Sequence, residues 1–192
     1  MFVIQHSILS NLYARIKKSR TLRFLETGVL METNKFTLCL WFDSEAEAAA
    51  NFYTSVFQDG KIGKVRRYGK EGFAFHHKPE GSVMTIEFEA NGMQFLALNG
   101  GPENKFNDSM SLVINCDTQK EIDYYWEKLT AGGSEVQCGW LKDKFGLSWQ
   151  VVPTVFDEMI DSDDKTAASR AMEAMFGMKK FNIAKLQQAF RG

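Results

Sequence analysis

Two apolar patterns set 73 residues apart constrain this 192-residue chain more than any other feature. Ala49, Phe52, Tyr53 and Val56 recur at i, i+3, i+4, i+7, the spacing of one buried helical face, and Ile122, Tyr125, Trp126 and Leu129 repeat it. Ser44 with Glu47, and Thr118 with Glu121, have the spacing of a capping box, so each helix is expected to start there. A β-prone run precedes each helix, at residues 36–42 and 110–115. Strands are expected after the first helix at 61–68, 82–89 and 93–98, the last two joined by the hairpin dipeptide Asn91-Gly92. The second helix stops at Gly132-Gly133, and strands at 135–141 and 147–152 follow, with Pro153 closing the sheet and one strand of this unit short or merged. The order β, α, β, β, β therefore occurs twice. The offset is too long for a solenoid period. Internal duplication is the simplest account; an ordinary α+β domain with two amphipathic helices is the other. Beyond Pro153, Asp163 is placed to cap a helix over 165–176, Gly177 ends it, and Asn182 precedes a last short helix. Met172 and Met175 read as packing residues.

Composition narrows the class. With 44% apolar residues, 16 Phe and 4 Trp, the chain can fill one well-packed domain. Lys and Arg number 23 against 24 Asp and Glu, so no net field draws it to nucleic acid or to anionic lipid. No apolar run approaches the roughly 20 residues of a membrane span. Cys39, Cys116 and Cys138 are odd in number and lack a CxxC pair, which fits free thiols in a reducing, cytoplasmic setting. Residues 1–30 differ from the rest, carrying Arg15, Lys17, Lys18, Arg20 and Arg23 against Glu26 alone. They form a basic extension without a secretory cleavage site, either an organellar transit peptide or an upstream extension ahead of Met31.

Four strings carry a family resemblance: Leu40-Trp-Phe-Asp43, Asn51-Phe-Tyr-Thr-Ser-Val-Phe57, Leu98-Asn-Gly-Gly-Pro102, and the run from Cys138-Gly-Trp to Gln150-Val-Val-Pro153. They resemble PhnB-like proteins of the glyoxalase/bleomycin-resistance/dioxygenase (vicinal-oxygen-chelate) superfamily, which often bear the label 3-demethylubiquinone-9 3-methyltransferase. The resemblance runs from about residue 33 to the C-terminus, including Met178 to Ile183. It implies an α+β fold in which two βαβββ modules, 33–102 and 108–156, form a curved mixed sheet around a cleft, followed by a helical tail, 157–192, in one domain spanning 31–192. It also implies a homodimer and a small-molecule ligand.

Metal-dependent relatives in that superfamily place His, Glu or Gln ligands on the first and last strands of the two modules. Here those positions hold Thr37 or Cys39, Leu98 or Asn99, Ser111, and Gln150, of which only Gln150 is a usual ligand. Hydroxyls and one amide do not make the imidazole and carboxylate set of a catalytic transition metal, so neither a bound metal nor another cofactor is expected. His76 and His77 are adjacent, and in an extended segment would point to opposite faces. Cys138 has no His near it in sequence and reads as an inert thiol. Asp143 and Lys144 read as a solvated turn before Gly146. Methyl transfer is disfavoured, because Gly100-Gly101-Pro102 leads towards a strand and not into a helix N-terminus. The ligand-binding candidates are therefore Cys39, Trp41, Asn99, Ser111, Trp140 and Gln150, with Trp149 expected to pack against a helix. For each Trp the alternative is plain core packing. The reading is a metal-free binding protein, with a glyoxalase- or dioxygenase-like enzyme using atypical ligands as the competitor, and an assembly partner with a filled cleft as a third.

Overall fold

The computed structural model describes residues 36–192 in full, together with the backbone of two short strands, β1 (Leu22–Phe24) and β2 (Leu30–Glu32), which pair antiparallel. The chain divides into two compact units, Met1–Leu38 and Cys39–Gly192. The transit-peptide and upstream-extension readings of residues 1–30 lie outside the described residues.

The second unit holds the duplicated pattern. Strands β3 (Leu38–Phe42), β4 (Lys61–Arg67), β5 (Val83–Ala90) and β6 (Met93–Asn99) form one sheet in the order β3-β6-β5-β4, with helix α1 (Ala46–Val56) between β3 and β4 and a single-turn helix α2 (Phe73–His76) after β4. Strands β7 (Ser111–Cys116), β8 (Ser134–Glu135), β9 (Trp140–Lys142) and β10 (Ser148–Pro153) form the other, in the order β7-β10-β9-β8, with α3 (Gln119–Thr130) after β7. The two orders are the same, first, fourth, third, second. This is an α+β architecture of two mixed four-stranded sheets. In the second sheet β10 runs parallel to β7 and antiparallel to β9. The merged-strand expectation for 135–141 resolves into a hairpin: Cys138 and Gly139 both take positive φ, 58° and 80°, so the segment turns between β8 and β9 instead of running straight. Only glycine fits at 139, because a Cβ there would run into the Phe181 ring.

The two helix starts differ although their sequence signals match. Thr118 and Glu121 make the reciprocal capping box at α3. Ser44 and Glu47 do not; Glu45 is the N-cap residue of α1 with no side-chain cap, and the orphan Ala46 N–H donates instead to Asn99 Oδ1 at 2.8 Å. The Asn91-Gly92 turn is left-handed at both residues, and Asp59 accepts both of their N–H groups at 2.7 and 2.8 Å. The helix over Lys165–Phe176 (α5) is capped by Asp164, not Asp163, through the N–H groups of Thr166 and Ala167. It stands between α4 (Thr154–Ile160) and α6 (Ile183–Arg191) in the tail. Arg170 donates to the Ala189 and Phe190 carbonyls, satisfying the open end of α6.

Both repeated faces are buried: Ala49, Tyr53 and Val56 on α1, and Ile122, Trp126 and Leu129 on α3. The two helices meet between the sheets. Tyr53 lies against Phe88 of the first sheet and Trp149 of the second, 5.8 and 5.7 Å between ring centroids, and Phe57 stacks on Tyr125 and Trp149. Each such aromatic side chain contributes about 2–3 kcal/mol by leaving water. The helix-bearing sides of the sheets therefore share one core, and the opposite side of each sheet faces outward. Among the described residues no helix is long and apolar enough to cross a membrane.

Candidate functional site

Strand alternation decides which side chains can meet a ligand, since neighbours along a strand point to opposite faces. On β3, Leu40 and Phe42 are buried while Cys39 is exposed and Trp41 half-buried, so Cys39 and Trp41 lie on the outward face. Partial desolvation at the strand pushes the Cys39 thiol pKa up, so it is a weaker nucleophile than a free thiol although it is accessible. The Trp41 indole N–H donates to Gly101 O at 2.8 Å, and its ring lies on Gly100, where a Cβ would collide with the six-membered ring. The glycine pair thus serves to seat Trp41. Asn99 faces the other way. It is 6% exposed, its Oδ1 is committed to α1 and its Nδ2 donates to Val83 O at 3.0 Å, leaving Leu98 on the outward face.

On the second sheet, Ser111, Trp140 and Gln150 share the outward face. Gln150 Nε2 donates to Ser111 Oγ at 2.9 Å, and Gln150 stands opposite Trp140 across the β9–β10 ladder. The same face carries three residues that the sequence reading passed over. Ser148 donates to Asp108 Oδ1 at 2.9 Å, and Lys142 approaches that carboxylate at 2.8 Å. The hydrogen bonds from Lys142 and Ser148 hold the Asp108 carboxyl below its usual range. The signal was period two: Lys142 follows Trp140, and Ser148 precedes Gln150, by two positions each. A hollow of about 390 Å³ on this side is lined by Asp108, Cys138, Trp140, Lys142 and Ser148.

The structure brings Ser111, Gln150 and Trp140 together. Cys39 and Trp41 stand on the other sheet, and among the described residues no hydrogen bond joins the two groups.

Other candidates are accounted for by packing. Trp149 is buried, with its N–H on Asp143 Oδ2 at 2.8 Å. Asp143 is not the solvated turn residue expected of it. The turn exists, closed by Gly146 N–H on Asp143 O, but the carboxylate is 3% exposed and also accepts the Tyr53 hydroxyl and the N–H groups of Phe145 and Leu147. Burial raises its pKa despite those bonds, and burial together with Asp143 pushes the Tyr53 phenol well up. His76 and His77 lie on and after a helical turn, not in the extended segment expected. His76 Nδ1 accepts from Lys78 N–H, which leaves Nε2 as the donor to Glu71 O. Cys116 is buried and its thiol is pushed up to about 12, first by desolvation and then by Glu121 and Asp117. Among the described residues no three His, Cys, Asp or Glu side chains stand close enough to hold one metal ion.

Residues 34–152 match the family described as 3-demethylubiquinone-9 3-methyltransferase. Among solved structures, the PhnB protein from Bacillus cereus is 34% identical over 62% of this chain and 99% of its own, with a TM-score of 0.54. Protein PA1353 from Pseudomonas aeruginosa is 18% identical over 62% of this chain and 96% of its own, at 0.48. The genomically encoded fosfomycin resistance protein FosX from Listeria monocytogenes is 12% identical over 67% and 98%, at 0.45. No curated protein matches the sequence.

Proposed function

The chain belongs to the 3-demethylubiquinone-9 3-methyltransferase-like, PhnB-like family of the vicinal-oxygen-chelate superfamily, and from that premise we propose that it binds a small, partly aromatic molecule in a cleft that a second copy of the chain completes. The observation that carries the reading is the outward orientation of both sheets. Cys39 and Trp41 stand on one outward face and Ser111, Trp140 and Gln150 on the other, so a single chain has its polar and aromatic candidates pointing away from the shared core. A two-fold partner would set one kind of face opposite the other. Val113, 51% exposed between Ser111 and the core-facing Ile114, supports an apolar contact there.

The chemistry on offer is recognition. Gln150 presents an amide whose N–H is already oriented by Ser111, Trp140 supplies a ring, and Lys142 with Asp108 supplies a fixed ion pair at the edge. Methyl transfer finds no support in the glycine pair, whose N–H groups both donate to Phe42 O and whose Gly101 carbonyl accepts the Trp41 indole N–H. The three free thiols agree with a reducing compartment.

The test joins assembly to binding. Sedimentation equilibrium is expected to give a dimer, and Val113→Lys a monomer. Ligand-observed NMR with a set of aromatic fragments is expected to find binders that the dimer holds and that Gln150→Ala and Val113→Lys each weaken. A monomeric wild type, or fragments indifferent to both substitutions, overturns the proposal, and saturable binding of labelled S-adenosylmethionine restores the methyltransferase reading.

A further inference from the structure

We propose that the hollow between the two modules, walled by Trp41, Pro102, Phe106 and Phe145 and carrying Lys105 and Lys144, is a second ligand site that takes a planar aromatic anion. It measures about 460 Å³, within the range of small-molecule sites, and lies between the linker that joins the modules and the turn before β10. The cleft proposed above lies on the outward sheet faces and uses Gln150; this hollow shares Trp41 with it but does not include Gln150.

Its walls are set before any ligand arrives. Phe42, 4% exposed, forms the floor, with Phe106 edge-to-face at 5.3 Å and Phe145 at 5.9 Å. Phe145 is held at its backbone by the buried Asp143 carboxylate at 2.8 Å. Trp41 has spent its N–H on Gly101, so what it offers a ligand is ring surface. Pro102 supplies a rigid edge. A site whose side chains need no further ordering loses less entropy on binding. Aromatic walls on several sides select a flat, apolar body.

Charge selects the rest of the ligand. Lys105 and Lys144 make no ion pair among the described residues, and Lys144 Nζ rests 4.3 Å from the Phe52 ring centroid and 5.2 Å from that of Phe145. A cation on ring faces keeps its N–H donors available. Two carboxylates also line the hollow. Asp43 is matched by Lys78 at 3.2 Å, and Glu45 receives the Ser44 N–H at 3.0 Å without a cation. Lys105 and Lys144 line the hollow with these two carboxylates, and because Asp43 is already neutralised by Lys78 from outside the lining, one positive charge is left in excess, which favours a carboxylate-bearing ligand over a cationic one.

The test is calorimetric titration of the full chain with 2-naphthoate, the neutral 2-naphthalenemethanol and the cationic 2-naphthylmethylammonium. Naphthoate is expected to bind once per chain, the alcohol more weakly, and the ammonium not measurably. Lys105→Gln with Lys144→Gln, both at exposed positions that leave the melting temperature unchanged, is expected to weaken naphthoate about tenfold and leave the alcohol unaffected. Phe106→Ala weakens both. Naphthoate that does not bind, that binds no better than the other two, or that ignores the lysine pair overturns the proposal. Loss of naphthoate binding in Gln150→Ala overturns it too, by placing the ligand in the outward cleft. None of these results bears on the sedimentation measurement of the dimer.

Discussion

Replacing Asp143 tests how the two modules are held together. Its Oδ2 accepts the Tyr53 hydroxyl from α1 and the Trp149 N–H from β10, each at 2.8 Å, while Oδ1 takes the turn N–H groups of Phe145 and Leu147. Asp143→Ala leaves a phenol and an indole donor unpaired at side chains 1% and 4% exposed. Each buried unpaired donor costs about 1–3 kcal/mol, giving about 2–6 kcal/mol for the two. Relief of the carboxylate's own desolvation offsets part of this, so the expected loss is about 3 kcal/mol. Asp143→Asn keeps one acceptor but turns an NH₂ towards donors on the other side, and is expected to cost about half as much. Urea unfolding at neutral pH, followed by tryptophan fluorescence with an unchanged m-value, measures both. An Asp143→Ala protein within about 1 kcal/mol of wild type would refute the idea that this carboxylate staples the modules.

The pH dependence supplies an independent check. Burial raises the folded-state pKa of Asp143 above 3.8, more than the bonds from Trp149 and Tyr53 lower it. The folded chain then binds this proton more tightly than the unfolded one, so the contribution of Asp143 to stability falls as pH rises from the ordinary carboxylate value through the raised one, and is flat above it. The Asp143→Asn variant, with an amide in place of the carboxyl, has no such slope. The stability advantage of wild type over Asp143→Asn is therefore expected to be largest at the acid end of that window and to shrink as pH rises. An advantage that grows with pH across the window would contradict the assignment.

Three further outcomes are expected. Gly100→Ala should drive the Trp41 indole from its seat and break its bond to Gly101, costing about 1–3 kcal/mol and changing near-UV circular dichroism; an unchanged spectrum would show that the ring is not seated there. Asn99→Ala should cost about 3 kcal/mol, by uncapping α1 and orphaning Val83 O, whereas Ser44→Ala should cost less than about 0.5 kcal/mol; chemical denaturation of both separates the long-range cap from a local one. Cys116, buried and with its thiol pushed up to about 12, should resist a thiol reagent until the chain unfolds, while the exposed Cys39, slowed by its own raised pKa but accessible, reacts in the native state more slowly than a free thiol; equal native rates at both cysteines would be inconsistent with this placement.

The repeated architecture was readable because it rests on local periodicity. The four residues of each helix face sit within eight positions, and the Asn91-Gly92 turn needs only its own two left-handed residues. What failed was everything decided by partners far along the chain. Ser44/Glu47 and Thr118/Glu121 have the same spacing, yet α1 takes its cap from Asn99, 53 residues away. Asp143 does make the turn its sequence suggests, and nothing in that stretch announces that Tyr53, 90 residues earlier, will cover it. The hairpin within 135–141 depended on a positive φ at Cys138, a residue type that seldom takes one.

The candidate site shows the same division at finer scale. Strand parity places Gln150 and Ser111 correctly relative to each other because both belong to one ladder, and the same rule adds Ser148 and Lys142. Parity on β6 was ambiguous: residues 95–98 are apolar without interruption, so alternation cannot say whether Leu98 or Asn99 faces the helix. The amide resolves it physically. A buried Asn needs partners for both of its ends, and only the helix side supplies an orphan N–H and a free carbonyl together, at Ala46 and Val83. Asn99, one of three ligand-contact candidates on the first module, is thus the residue that starts its helix, and Cys39, Trp41 and Leu98 are left on the outward side of that sheet. In the proposed cleft the first module would then offer the Trp41 ring and Leu98 with Thr85 and the Arg66–Glu87 pair on the same face, and the second would offer Gln150, Ser111 and Lys142. A ligand held by both would then meet aromatic and polar groups from each module, and Trp41→Ala and Gln150→Ala are each expected to weaken the same fragments; fragments that respond to one substitution alone would place the ligand on a single module.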